Sequence, residues 1–355
     1  MKREELILDV AKDMDMDLLV RARQTFFPES DQAALRYVDW SYRNNPAGPV
    51  YACLILEGET VAGQYVNIPI SVILHGKTQK ASYSLDTFVH PDYRRQGIFV
   101  RLAETLFRHI ADEGCLFTIG MPNRLSRPGF LGSLGFVEPF GVYSFLRPLS
   151  LALGSGQLSR GILTGVPFGG IKRLIRRMRV LEFNRTEGPD DQWVDTLWQS
   201  CLPHIVLDLN KDARWVRWRY TENPRARYDF LTATERDGRP VGYVVWQHER
   251  HVFKRFERYF ERGLSYLYLM DVVAEDLLTA LCLVWTFINE IAKDHNFVRV
   301  TAPARGRLAY VLFSSGFFPV RRVSFIYRAH HQFVPAAGDL KGSKWPVTTC
   351  YWDVM

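Results

Sequence analysis

The ten residues from His90 to Phe99, HPDYRRQGIF, combine basic, small and turn-forming side chains between two apolar segments. They follow SLDTFV and lead into VRLAETLFRHIADEG, where Leu102, Leu106 and Ile110 recur at helical spacing. A strand-to-helix seam leaves amide N–H groups unpaired, and those groups together with the helix dipole hold anions well. Gly97 lets the backbone approach a ligand or take a turn that other residues resist. Arg94-Arg95-Gln96-Gly97-Ile98 therefore suits a phosphate cradle, with amides facing inward and guanidinium groups at the rim. The same residues also describe an ordinary solvated helix cap, and the bare chemistry leaves both readings open. No Gly-Lys-Ser/Thr follows, and there is no GxGxxG, so neither the P-loop nor the dinucleotide fingerprint applies.

The elements around this seam can be read from their periodicity. EELILDV reads as a strand, MDMDLLVRARQTFFP as a helix, and DQAALRYVDWSYRNNP as a second helix ended by Pro46. Residues 50–56 and 61–74 read as antiparallel strands joined by the EGET turn, and 82–89 as the apolar strand entering the seam. The helix from Gly97 to Asp112 is followed by a buried strand at 115–122, a short helix or turn at 126–134, and a pair of terminal strands in FVEPFGVYSFLRPL. The stretch 148–179 changes character: it is Gly/Ser-rich, then ends in the basic segment IKRLIRRMR. It reads as a linker with a basic helix whose wet side is solvated, the alternative being contact with an acidic surface or membrane.

The second half repeats the first. WSYRNNP at 40–46 corresponds to WRYTENP at 218–224, LEGETVAG at 56–63 to RDGRPVG at 236–242, and LGSLGF at 131–136 to LFSSGF at 312–317. The order is kept, at separations of 178, about 179 and 181 residues, which argues for two copies of one module. Trp40 and Trp218 are expected to pack a helix against its sheet. At the place of the seam the second copy reads LMDVVAEDLLTALC, without glycine or arginine. It keeps the scaffold and drops the anion chemistry.

Composition sets the outer bounds. The chain has 355 residues, 47% of them hydrophobic, which is enough for two cores. There are 45 basic and 38 acidic residues, a net +7 that favours anionic ligands or describes a solvated face. Five scattered cysteines argue against a disulfide framework, and no Cys/His cluster suggests zinc or another metal. The charged N-terminal residues lack a signal-peptide core and no long apolar run occurs, so a cytoplasmic protein with no membrane span is expected. No RGG run or recognition-helix pattern points to nucleic acid.

Val89, His90, Pro91, Arg94 and Gly97 together resemble the pyrophosphate-binding motif of the Gcn5-related N-acetyltransferase (GNAT) superfamily, Arg/Gln-x-x-Gly-x-Gly/Ala after a strand ending in Val-x-Pro. Leu134-Gly135-Phe136 resembles a common ending of that family, and Asn123 stands where it often has asparagine. The resemblance covers roughly residues 5–147, and the whole resembles a tandem member with a degenerate second module. It implies an α/β fold of two tandem acyl-coenzyme A N-acyltransferase-like domains, each a twisted mixed sheet flanked by helices. The expected division is a catalytic domain 1–147, a linker 148–179 and a second domain 180–355.

The resemblance further implies acetyl- or another acyl-coenzyme A as co-substrate, bound between the strands near 82–89 and 115–122. Amides of Arg95, Gln96, Gly97, Ile98 and Phe99 would hold the pyrophosphate. Backbone at Phe88 and Val89 would pair with the pantetheine arm, which Asn123 would also hold, while Arg94, Arg95, Arg124 or Arg127 would meet the adenosine phosphates. Two positions depart from the pattern. Phe99 replaces a Gly or Ala, so its ring must turn sideways. Leu131 replaces a general-acid tyrosine, leaving either Tyr143 of the following strand as a substitute or a thiolate that departs without a placed acid.

Proton removal from an attacking amine calls for a base. Asp86 is a candidate inside an apolar strand, where burial raises a carboxyl pKa, though it could equally cap or pair with an arginine. His90 is a candidate proton carrier or part of the turn. The expected reaction is acyl transfer to a small primary amine. The basic balance favours an anionic acceptor, and the resemblance of long, aromatic-rich, cysteine-poor tandem chains to enzymes of surface-polysaccharide biosynthesis implies a nucleotide-linked amino sugar. The alternatives are an aminoacyl transferase of cell-wall synthesis and a non-catalytic coenzyme A-binding regulator. A homodimer is allowed.

Overall fold

The computed structural model describes residues 4–9, 16–26, 34–149, 151–153, 156–158, 181–251, 264–330, 333 and 338–351. The basic segment IKRLIRRMR lies outside them. In the first half, β1 (Glu4–Asp9) is followed by α1 (Met16–Phe26) and by α2 (Leu35–Val38), which widens into a π turn over Asp39–Arg43. The strands β2 (Tyr51–Glu57), β3 (Thr60–Leu74) and β4 (Lys77–Val89) form an antiparallel meander. Helix α3 (Ile98–Asp112) crosses over to β5 (Phe117–Gly120), and α4 (Arg127–Ser133) precedes β6 (Val142–Pro148). The short strands β7 (Leu151–Leu153) and β8 (Gly156–Leu158) pair with each other.

The second half repeats this series. It runs β9 (Glu182–Thr186), α5 (Asp191–Cys201), β10 (Leu207–Leu209) and α6 (Ala213–Val216), again widening into a π turn at Arg217–Thr221. It continues through β11 (Tyr228–Thr234), β12 (Pro240–His251), β13 (Leu264–Ala274), α7 (Leu277–Thr286) and β14 (Phe297–Pro303). It ends in α8 (Arg307–Ser314), β15 (Phe318–Val323) and β16 (Ile326–Ala329). Two mixed sheets flanked by helices result, as tandem modules require.

The sheets are not made by one half each. The first has the order β1-β2-β3-β4-β5-β16, with β10 also on β3; the second has the order β15-β6-β14-β13-β12-β11-β9. Strand β6, read from sequence as a terminal strand of the first module, lies antiparallel to β14 in the second sheet, with Phe145 opposite Val300. Its expected place beside β5 is taken by β16 from the far end of the chain, with Ile326 opposite Gly120. The other terminal strand expected in FVEPFG is reduced to one bridge between Val137 and Tyr327.

A local two-fold relation joins the halves. Trp40 and Trp218 stack at 4.8 Å between ring centroids. Each indole N–H donates to the other's backbone carbonyl, at 2.8 and 2.9 Å. The two tryptophans therefore pack on each other across the halves, which corrects the expectation that each serves its own sheet.

Helix α3 buries Ile98, Leu102, Leu106 and Ile110 against the first sheet, each worth about 2 kcal/mol of transfer free energy. It lies so close to β3 that a Cβ on Gly63 would come within 2.7 Å of Ile98 Cγ2. Gly242 meets Leu283 of α7 in the same way, at 2.8 Å. The paired VAG and PVG motifs thus fix how tightly each crossover helix seats on its sheet.

Candidate active site

The parallel pair β4 and β5 stays together for only three residues, Ser82 to Ser84 against Thr118 to Gly120. Beyond Ser84, β4 bends away. The cause is a β-bulge: Val66 faces Leu85 but Gln64 faces Phe88, so Asp86 and Thr87 share one position. Asp86 adopts φ +48°, a left-handed conformation uncommon outside glycine. From Leu85 to Val89 the edge of β4 that faces β5 has no strand partner among the described residues.

Three side chains hold that bulge. Arg23 of α1, 1% exposed, sets its Nη1 2.5 Å from Asp86 Oδ2, and also donates to the Tyr42 hydroxyl at 3.1 Å. The Tyr42 hydroxyl donates to the same carboxylate oxygen. Burial drives the Tyr42 phenol well above its usual range, with Asp86 adding to the rise, so it stays a donor. Burial pulls the Arg23 guanidinium down, but Tyr42 and Asp86 more than offset this and it is always charged. Of the two roles open to Asp86 in the sequence, the structure displays the arginine pair. Arg23 and Tyr42 were not foreseen as site residues. Tyr42 sits inside the repeated WSYRNNP motif, and only its position opposite Asp86 sets it apart.

The seam begins where β4 ends. His90 caps a single 3-10 turn, Pro91–Tyr93, through a 3.4 Å bond from the Asp92 amide to Nδ1, and its ring lies edge-on to Phe26 and Tyr93. Arg94 Nε donates to the Val89 carbonyl at 3.3 Å, and Gln96 Nε2 to Asp92 O at 3.2 Å. Arg95 at φ +60° and Gly97 at φ +74° turn the chain into α3. Gly97 is the N-cap of α3 and no side chain caps the helix. The amides of Gly97, Ile98, Phe99 and Val100 have no backbone acceptor among the described residues, and the first helical bond is Arg101 N to Gly97 O. Residues 94–97 are exposed. This is a row of amide donors with two arginines beside it, a set that fits the pyrophosphate of a coenzyme A.

Phe99 does not crowd that row. Its ring turns towards α4, where a Cβ on Gly129 would touch Cε1 at 2.9 Å, and lies edge-on to Phe130 at 5.5 Å. Phe88 stacks on Phe26 at 3.4 Å between centroids. Asn123 follows β5, and its side-chain oxygen accepts from the amides of Leu125 and Ser126 at 2.9 and 3.0 Å, which starts α4. Tyr143 stands apart. It lies on β6 in the second sheet, packs on the core of that half, and folds its ring over Gly141. Asp86 and His90 are thus brought to one opening, and Tyr143 is not.

A cleft of about 1000 Å³ adjoins this opening and runs between the two sheets. Pro122, Asn123, Arg124 and Arg127 wall it on one side; Arg225, Tyr268 and Arg299 wall it on the other. Arg225 lies over the ring of Tyr37, and the Arg23 guanidinium lies over the same ring, so the wall is tied to the bulge. Arg124 and Arg127, expected near the adenosine phosphates, face this cleft, where Arg127 is paired to Glu138 at 2.9 and 3.1 Å.

The second module treats the matching place differently. Strands β13 and β14 also pair over three residues, Tyr266 to Tyr268 against Phe297 to Arg299, and then part at a bulge before Asp271. Asp271 is fully buried and meets Lys211 Nζ at 3.1 Å, which Asp208 also meets at 3.1 Å. Burial pulls the Lys211 ammonium down, but the two aspartates lift it well above its usual value. Arg307 donates to the carbonyls of Ala274 and Glu275 at 3.1 and 3.3 Å, which occupies the strand end. Asp276 caps α7, accepting from the Thr279 amide at 2.7 Å. The space left is about 210 Å³, partly walled by residues 342–346.

A parted parallel pair, a bulged strand and a crossover helix, present twice, define the GNAT-superfamily fold with tandem acetyltransferase-like domains. Residues 8–138 match the family model of the acetyltransferase (GNAT) domain. Among solved structures, a GCN5-related N-acetyltransferase from Anabaena variabilis superimposes with a TM-score of 0.62 at 15% identity, covering 92% of this chain and 73% of that one. A probable N-acyltransferase from Enterococcus faecalis gives 0.63 at 11% identity, covering 93% and 73%. N-myristoyltransferase of Saccharomyces cerevisiae with bound myristoyl-CoA gives 0.56 at 12% identity, covering 92% and 83%. No curated protein sequence matches the chain. Among the described residues no helix is long and apolar enough to cross a membrane.

Proposed function

We propose that the chain is an acyl-coenzyme A-dependent N-acyltransferase whose first module carries the cofactor site. The observation that carries this reading is the uncapped amino end of α3, flanked by Arg94 and Arg95 at the mouth of the parted β4 and β5. Acyl-coenzyme A supplies an activated thioester there. Amides of residues 95–99 bind its pyrophosphate, the open edge of β4 at Phe88 and Val89 pairs with the pantetheine arm, and Asn123 supports it from the β5 side. Asp86, locked to Arg23 and Tyr42, keeps the bulge open rather than taking the proton. His90 serves the turn, and proton removal from a partly neutral amine is left to ordered water.

The reading divides the chain into a catalytic module 1–147, a linker 148–179 and a degenerate module 180–355, with β6 and β16 crossing that division. The acceptor is a primary amine that enters through the cleft between the sheets. A nucleotide-linked amino sugar suits the cleft's charge. The test is to titrate acetyl-coenzyme A into the purified protein, then supply a panel of amines and follow the free thiol. Micromolar affinity with thiol release supports the proposal. Absence of cofactor affinity overturns it, and affinity without turnover on any amine makes the chain a coenzyme A sensor.

A further inference from the structure

The cleft between the sheets is lined by six arginines, Arg124, Arg127, Arg225, Arg299, Arg321 and Arg322. Against them stands one carboxylate among the described lining residues, Glu138. Its hydrogen bond with Arg127 holds that carboxyl below its usual range, so it stays charged. It is already spent: it takes both bonds from Arg127, one from Arg322 at 2.9 Å and one from the Ser324 hydroxyl at 2.7 Å. Arg124, Arg299 and Arg321 have no carboxylate within ion-pair distance among the described residues. Arg299 is held in place, its Nε donating to Ser144 Oγ at 2.7 Å and its guanidinium lying over Tyr268.

Like charges gathered around one concavity repel, and a focused positive potential of this kind draws anions. Guanidinium groups match phosphate oxygens in pairs, and fixed ones lose little freedom on binding. A volume of about 1000 Å³ accommodates far more than an inorganic ion. None of residues 94–99 lines the cleft, so it is separate from the donor row at α3.

We propose that this arginine-lined cleft is the acceptor subsite, and that it selects an amine-bearing molecule by a phosphate or diphosphate group. Arg299 and Arg321 grip the anion, while Glu138 pins Arg127 and Arg322 beside it. The assignment of this anion to the acceptor rests on the acyltransferase reading; the anion site itself does not. The other source of the same chemistry is the phosphate of the coenzyme, and the experiment separates the two.

Inorganic pyrophosphate is titrated calorimetrically into the full chain saturated with coenzyme A, which fills the donor row at α3. Binding is expected to persist under saturation and to weaken about tenfold or more in R299Q/R321Q. Coenzyme A affinity in that variant is expected to stay within about twofold of the parent. The single change Arg321→Gln, on an exposed residue of edge strand β15, keeps the test if the double variant does not fold. Pyrophosphate that competes with coenzyme A, binds the variants unchanged, or does not bind the parent overturns the proposal. If coenzyme A itself does not bind while pyrophosphate binding is lost in R299Q/R321Q, the anion site stands and the acyltransferase reading fails.

Discussion

The two crossover junctions share one backbone plan and oppose each other chemically. In the first, α3 begins at a glycine with no side-chain cap, and its first amides have no backbone acceptor among the described residues, beside two arginines. In the second, the carboxylate of Asp276 takes the Thr279 amide of α7, and Arg307 covers the carbonyls at the end of β13. A capped helix end is more stable by about 1 kcal/mol but repels a second anion. The open end gives up that stability and keeps its donors. The contrast teaches that the same strand, bulge and helix are a scaffold, and that the residue at the N-cap sets whether a side chain already takes a donor at the helix end.

The largest effect is expected where the modules look most alike. Asp86 and Asp271 each answer a buried cation, but Lys211 has Asp208 as a second partner while Arg23 relies on Asp86. Asp86→Ala should cost about 3–5 kcal/mol in urea denaturation, because it strands a buried charge. Asp271→Ala should cost less. Equal losses would mean that the two bulges are held in the same way.

Gly97→Glu is next. It places a carboxylate on the donor row, and coenzyme A affinity should fall at least about a hundredfold by calorimetry. The left-handed backbone at φ +74° adds about 1 kcal/mol of strain, and circular dichroism should still report the fold. The counterpart in the second module is milder. Asp276→Ala should lose about 1 kcal/mol of stability with coenzyme A affinity unchanged. Weakened affinity there would break the division of labour between the junctions.

The smallest effect concerns the contact that joins the halves through Glu138. Its carboxyl is held below the usual value by Arg127. A lowered folded value means that its contribution to stability is present above the unfolded carboxyl pKa and is lost as pH falls through the folded one. Stability measured against pH should therefore show a small acid-limb loss in the parent that Glu138→Gln lacks.

Much of this was legible because it is local. The seam, the helix stripe Leu102, Leu106, Ile110 and the turn at Gly58 depend on neighbours in the chain, and the duplication showed through repeated WxY and Gly-Phe motifs. What the sequence could not display were meetings across long separations. Arg23 finds Asp86 63 residues away, and Arg322 finds Glu138 at 184. The six arginines come from four separate segments, so no window of sequence contains the cleft. The exchange of β6 and β16 was hidden for the same reason, since both strands have the pattern of any terminal strand. Tyr143 was misplaced with β6: a strand assigned to the wrong sheet carries its side chains with it.

That exchange also sets the order of events as the chain is made. The edge of β5 is closed by a strand ending at Ala329, and α3, the bulge and the open junction are all synthesised well before it. Until residues 326–329 leave the ribosome, the first sheet presents a bare strand edge of the kind that invites wrong pairing. Strand β6 likewise waits for β14, so neither half can finish alone during translation. The protein should refold slowly, as distant pairings require, and a nascent chain halted after residue 300 should depend on a chaperone to stay soluble.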